Sequence, residues 1–301
     1  MRVAVTGASG RLGRALVTAL EDAPFTGPAG PIAWDRAAFD LDRADRFGEL
    51  LDRDRPEVVV HAAAWSDVDG CALDPALALL RNGVATGALA EACADRGVDL
   101  VAISTNEVFD GRRRDGRGYT PTDTPAPGNA YGRSKLDGEI RAQAAFGRAS
   151  GAGLGIVRTA WLFGVPGNDF PSRILAAAER AAGAGEPLRV VGEEWGTPSY
   201  TLDVAEAIVE LLGANAIAGI HHVVNGHFAT RADWARYIVG RALLDVEVID
   251  IPSSDWSRPS TPPRWGVLEA TPLPSGEPLR IWPDAMADYA PSLLRVVRAR
   301  A

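Results

Sequence analysis

Lysine is all but absent from this chain of 301 residues: Lys135 stands alone beside thirty arginines. Cysteine is nearly as scarce, with only Cys71 and Cys93. They form no CxxC pair and have no His or Cys cluster nearby, which excludes a zinc site and a disulfide framework and fits a reducing cytosol. Basic charge is in deficit, since the net charge is −8. General binding to nucleic acid or to an anionic membrane surface needs a basic face and is therefore not expected. No apolar run reaches the length needed to span a bilayer. The chain enters a strand at once, Arg2-Val3-Ala4-Val5, leaving no room for a signal peptide. The expectation is a cytoplasmic protein with no metal-ligating residues to name, any need for a metal staying open.

What the chain does have is alternation. Val3–Val5, Ile32–Trp34, Val58–His61, Leu100–Ser104 and Gly155–Arg158 read as strands. Between them Leu12–Leu20, Ala44–Asp52, Ala76–Asp95 and Ser134–Ala145 read as helices. That order predicts an α/β fold whose parallel sheet is covered on both faces. Phe170–Ala182 and Thr201–Leu212 read as further helices, with Leu188–Val191 a strand between them. Beyond residue 213 the texture changes: His221–Val224 and Val246–Ile251 read as strands and Ala232–Leu244 as a helix. The proline- and serine-rich Pro252–Pro283 reads as an ordered loop.

Thr6-Gly7-Ala8-Ser9-Gly10-Arg11-Leu12-Gly13 joins the first strand to the first helix. Gly7 permits the tight turn, Gly10 lets backbone approach a pyrophosphate, and Gly13 allows close packing of helix on sheet. Free amides at the helix start then receive phosphate charge. These features predict a dinucleotide-binding domain of residues 1–164 plus 199–219, with residues 165–198 plus 220–301 as a smaller substrate-binding lobe. Asp35 and Arg36 follow the second strand; the first would suit the ribose hydroxyls of NADH, the second the 2′-phosphate of NADPH. Arg11, within the turn, favours NADPH and leaves NADH open. Asp40 and Leu41 lie where they could flank the adenine.

Lys135 falls four residues after Tyr131, so the two share a helix face. An ammonium is a compact charge that can touch a ribose and a phenol together, which a guanidinium does less well. A phenol with an ordinary pKa of about 10 shuttles protons poorly near neutrality, and a neighbouring cation is expected to lower it. Ser104 and Thr105 end the fourth strand, where ligands of open α/β sheets bind. Thr105, Tyr131 and Lys135 together resemble the Thr/Ser–Tyr–Lys triad of the short-chain dehydrogenase/reductase superfamily, which implies a Rossmann-type doubly wound parallel sheet.

Longer stretches narrow the resemblance. His61-Ala62-Ala63-Ala64-Trp65-Ser66-Asp67-Val68-Asp69, Ser104-Thr105-Asn106-Glu107-Val108-Phe109-Asp110-Gly111, Arg158-Thr159-Ala160-Trp161 and Glu193-Glu194-Trp195-Gly196-Thr197-Pro198 are similar, in that order, to segments of the dTDP-4-dehydrorhamnose reductases. The resemblance runs to about residue 240. It implies that Ala62, Ala63 and Ala64 pass close to the dinucleotide and that Asn82 braces the loops on that side. Ser66, Val68, Asn106, Glu107 and Trp161 would contact the sugar, and Arg264 the phosphates of the substrate. It also leaves room for a homodimer.

The implied reaction is NAD(P)H-dependent reduction of the C4 ketone of a nucleotide-linked 4-keto-6-deoxyhexose. Two residues depart from the family pattern: Asn106 replaces an aspartate and Glu107 a tyrosine. Thr-Asp-Glu at this place marks nucleotide-sugar 4,6-dehydratases, but Asn106 cannot serve as their acid. The departures also point to a substrate other than the usual rhamnose precursor. The rival reading is a non-catalytic regulatory or scaffold protein that binds a dinucleotide, and the intact triad argues against it.

Overall fold

The computed structural model describes residues 1–149 and 151–298. Six parallel strands form its main sheet: β1 (Val3–Thr6), β2 (Ile32–Trp34), β3 (Val58–His61), β4 (Asp99–Thr105), β5 (Leu154–Thr159) and the strand Gly219–His222. Their spatial order is Gly219–His222, β5, β4, β3, β1, β2. The near-continuous apolar runs of β1, β3 and β4 are what burial on both faces demands. Helices Arg11–Glu21 and Thr201–Gly213 cover one face through Leu12, Leu16, Val204, Ile208 and Leu211. Phe47–Asp54, Ala85–Ala94 and Ala130–Phe146 cover the other. The sheet is doubly wound, and β2 and β3 leave β1 in opposite directions, which opens a crevice at the carboxyl ends of the strands.

The sixth strand carries the sheet to residue 222, past the 219 boundary read from sequence. A second core gathers helices Phe170–Ala184, Arg231–Arg241 and Trp282–Arg298 against the parallel pair Leu188–Val191 and Val248–Ile251. The last of these helices is not among the expected elements, and it begins at Trp282, inside the loop expected to run to Pro283. Pro283 stands in the first turn, where no backbone N–H is required. Trp282, Ala285, Met286, Tyr289 and Leu293 recur at helical spacing and face this core.

The helix carrying Tyr131 and Lys135 begins at Ala130, four residues before the expected start. The Asn129 side chain caps it, accepting from the amide of Gly132 at 2.8 Å. Behind it lies a buried ion pair. Arg158 donates to Glu139 through Nε at 3.0 Å and Nη2 at 2.6 Å, and the Ser104 hydroxyl donates to the same carboxylate at 2.5 Å. The two charged side chains are only 2% and 3% exposed. Glu139→Ala would leave the guanidinium buried without a counter-charge, an expected loss of about 3–5 kcal/mol. Chemical denaturation checks this; a loss under about 1 kcal/mol would contradict it.

Candidate active site

A cleft of about 640 Å³ runs along the crevice, from the glycine turn to the C-terminal lobe. At its first end Gly7 adopts φ +64, and the Gly10 amide donates to the Gly7 carbonyl at 2.8 Å. A Cβ on Gly13 would overlap that same carbonyl. No side chain caps the helix that follows, so its first amides stay open to an anion. Gly7, Ser9, Gly10, Arg11 and Leu12 all line the cleft. The Arg11 guanidinium is engaged, however, donating to the carbonyls of Leu162, Gly167 and Asn168. It clamps the turn to the chain after β5 instead of standing free for a phosphate.

Of the pair after β2, Arg36 lines the cleft and Asp35 does not. The Asp35 carboxylate accepts from the amides of Ala37 at 2.9 Å and Ala38 at 3.0 Å and so closes its own turn. Asp40 and Leu41 line the same end, joined by Arg81, which sequence reasoning missed. Arg81 holds Asp42 through two bonds of 2.7 and 2.6 Å, and its guanidinium lies 5.5 Å from the centre of the Trp65 ring.

Ala62, Ala63 and Ala64 form part of the wall. Beneath them His61 bridges Thr6 and Thr86. Burial, reinforced by the charge of Lys135, pushes this imidazole down to about 3, so it stays neutral and acts as a fixed strut. Asn82 lies under the cleft, outside its lining, in a π-helical turn within the helical run 75–94. It pairs with both backbone groups of Trp65, at 2.8 and 3.0 Å, and donates to the Ser134 hydroxyl at 3.1 Å.

Midway along, Ser104, Thr105, Tyr131 and Lys135 meet in the cleft. The Ser104 hydroxyl turns away to Glu139, while Thr105 Oγ1 accepts from the Glu107 amide at 3.2 Å. Burial pushes the Tyr131 phenol above its ordinary value; the charge of Glu107 adds to this, and a hydrogen bond with Thr105 opposes it. This corrects the expectation of a phenol lowered by its lysine. Lys135 is itself brought down to about 8 by burial, against the pull of Glu139. Desolvation, which disfavours the charged form of either group, is the largest cause in both.

At the far end stand Ser66, Val68, Asn106, Glu107 and Trp161. Asn106 is buried, and its amide donates to the Gly266 carbonyl at 2.9 Å. Trp161 has φ +45, an uncommon backbone state for an aromatic residue, and its ring lies where a Cβ on Gly196 would be. Arg264 stands apart from these: it is exposed, pairs with Glu193 at 3.2 Å and does not line the cleft. The cation at this end is Arg231, whose guanidinium carbon sits 3.6 Å from the Trp161 ring centre. Burial brings Arg231 down to about 10 against the pull of Glu194, so it stays cationic at neutral pH. Nothing in its sequence neighbourhood marks it, because tertiary packing alone carries the start of its helix to the cleft.

Chemically, the cleft joins a helix start with open amides to a hydroxyl, a phenol and an ammonium, and then to an aromatic and cationic pocket. The chain is 36% identical over 294 residues to a dTDP-4-keto-6-deoxy-D-glucose reductase of Streptomyces niveus, covering 96% of both. Its fold superposes on a dTDP-4-dehydrorhamnose reductase of Clostridium acetobutylicum with a TM-score of 0.87 and 29% identity, over 98% of this chain and 100% of that one. The Bacillus anthracis dTDP-4-dehydrorhamnose reductase, solved in complex with NADP, gives a TM-score of 0.82 and 27% identity over 96% and 98%. The family model described as the RmlD substrate binding domain matches residues 1–294, and the chain belongs to that family, the dTDP-4-dehydrorhamnose reductase-like proteins.

Proposed function

We propose that this chain is an NADPH-dependent reductase of the C4 ketone of a nucleotide-linked 4-keto-6-deoxyhexose. The observation that carries the reading is the meeting of Thr105, Tyr131 and Lys135 midway between the open helix start and the pocket of Trp161 and Arg231. The cleft residues suit a dinucleotide: uncapped amides for the pyrophosphate, alanines that leave room, and Arg36 for a 2′-phosphate. The named activities of the relatives point the same way.

Bound there, the cofactor supplies the hydride. Thr105 orients the carbonyl oxygen, and Tyr131 passes its proton to that oxygen as negative charge develops. A phenol raised by burial is fully protonated at neutral pH, as a proton donor must be. Lys135 holds the ribose beside it. Arg231, backed by Trp161, offers positive charge to the nucleotide end of the substrate.

The test is NADPH oxidation with a panel of dTDP-4-keto-6-deoxy sugars. Turnover is expected with at least one, falling roughly 100-fold or more in Tyr131→Phe, the scale of a lost general acid. The wild-type rate should fall as pH rises past about 8, because Lys135 is cationic below that value and loses its charge above it. Cofactor binding without turnover of any sugar would favour the scaffold reading. Arg36→Ala should raise the KM for NADPH roughly tenfold, by one lost charge-assisted bond at an exposed site, and leave NADH unaffected. An equal change for both cofactors would remove Arg36 from 2′-phosphate recognition.

A further inference from the structure

The reduction leaves one group in the cleft without a task, the carboxyl of Glu107. It is half-buried and lines the cleft beside Thr105 and Tyr131. Its Oε2 accepts from Asn129 Nδ2 at 2.6 Å, and that amide is itself fixed by the Thr261 carbonyl at 3.2 Å. Among the described residues no hydrogen bond reaches Oε1. The neighbouring guanidiniums are engaged elsewhere, Arg231 with Glu194 at 3.6 Å and Arg258 with Asp69 at 2.9 Å. The other carboxylates of the lining, Asp40 and Asp42, lie at the opposite end with Arg81. A carboxylate without an ion pair thus shares one space with the two hydroxyls that hold the ketone oxygen. Burial also raises it above the ordinary carboxylate range, despite the bond from Asn129, which makes it a stronger base.

A C4 ketone acidifies the hydrogens on C3 and C5. We propose that Glu107 gives this site a second activity on the same substrate class: exchange of a hydrogen α to the ketone with solvent. The inference rests on the 4-keto sugar reading above. The carboxylate takes the proton, the C–H electron pair becomes the C=C bond of an enolate, and the carbonyl π pair moves onto O4. Tyr131 and Thr105 hydrogen-bond that oxygen as they do during reduction. Glu107 trades its proton with water and returns one to carbon, restoring the ketone with no net oxidation or reduction. Because the same carboxyl takes and returns the proton, configuration is retained. Elimination does not follow, since Asn106 has no acidic proton and its amide is held by Gly266.

The experiment uses the full chain with dTDP-4-keto-6-deoxyglucose in D2O, with and without NADPH, following NADPH oxidation and deuterium at C3 and C5 by mass spectrometry and NMR. Wild type is expected to incorporate deuterium at least tenfold faster than a protein-free control. Glu107→Gln should lose that excess, with NADPH fluorescence titration verifying that the variant is folded. Reduction by wild type without deuterium at C3 or C5 overturns the inference and leaves the reductase reading standing. Exchange without NADPH oxidation does the reverse. Exchange in Glu107→Gln at the wild-type rate, or neither reaction in wild type, also overturns it.

Discussion

The position of the helix Ala130–Phe146 rests on the buried pairing of Glu139 with Arg158, and through it the cleft acquires its reacting groups. Arg158 belongs to β5 and Ser104 to β4, so one carboxylate ties the helix to two central strands. Lys135 lies one helical turn before Glu139, and Tyr131 one turn before that. Two glycines let the helix settle this close. A Cβ on Gly132 would collide with the Glu107 carbonyl, and one on Gly138 with the Asn82 carbonyl. The ion pair alone would be weak evidence for stability, since desolvating two charges can cost as much as their attraction returns. Its value here is positional, because a shift of the helix would strand a charge in the core.

Electrostatics in the cleft follow from burial more than from pairing. Burial moves His61 to about 3, Lys135 to about 8 and Arg231 to about 10, and it raises Tyr131 and Glu107. In each case the charged form is the one disfavoured. The outcome suits donation of a proton: a phenol that keeps its hydrogen, a histidine that takes none, and a lysine still cationic at neutral pH. Arg158, Arg231 and Arg81, by contrast, each carry a carboxylate partner.

Much of this was legible in the sequence, because the motifs are local. The glycine turn, the alanine run after β3, the end of β4 and the Tyr131–Lys135 spacing each lie within one short segment whose geometry the backbone dictates. What the sequence did not reveal has the opposite cause. Asp35 looked suited to a ribose, but a carboxylate two residues before free amides closes on its own backbone. Arg264 looked available, yet its loop carries it to Glu193. Arg231 comes from far along the chain, and only the packing of Trp161 and Phe170 beneath it brings it in. The C-terminal helix had a clear apolar period, which its two prolines, Pro283 and Pro291, obscured. The lysine's effect on the phenol was misjudged because sequence spacing carries no measure of desolvation.

At the centre of the account is the claim that the one lysine of the chain is there for its compact charge in a tight, nearly dry place. Steady-state NADPH-dependent reduction by Lys135→Arg tests this most directly, since arginine preserves the charge and alters only its shape. The account predicts turnover reduced roughly 100-fold, the cost of displacing a reacting group by about 1 Å, with the fold intact by circular dichroism. Near-normal turnover in that variant would contradict it.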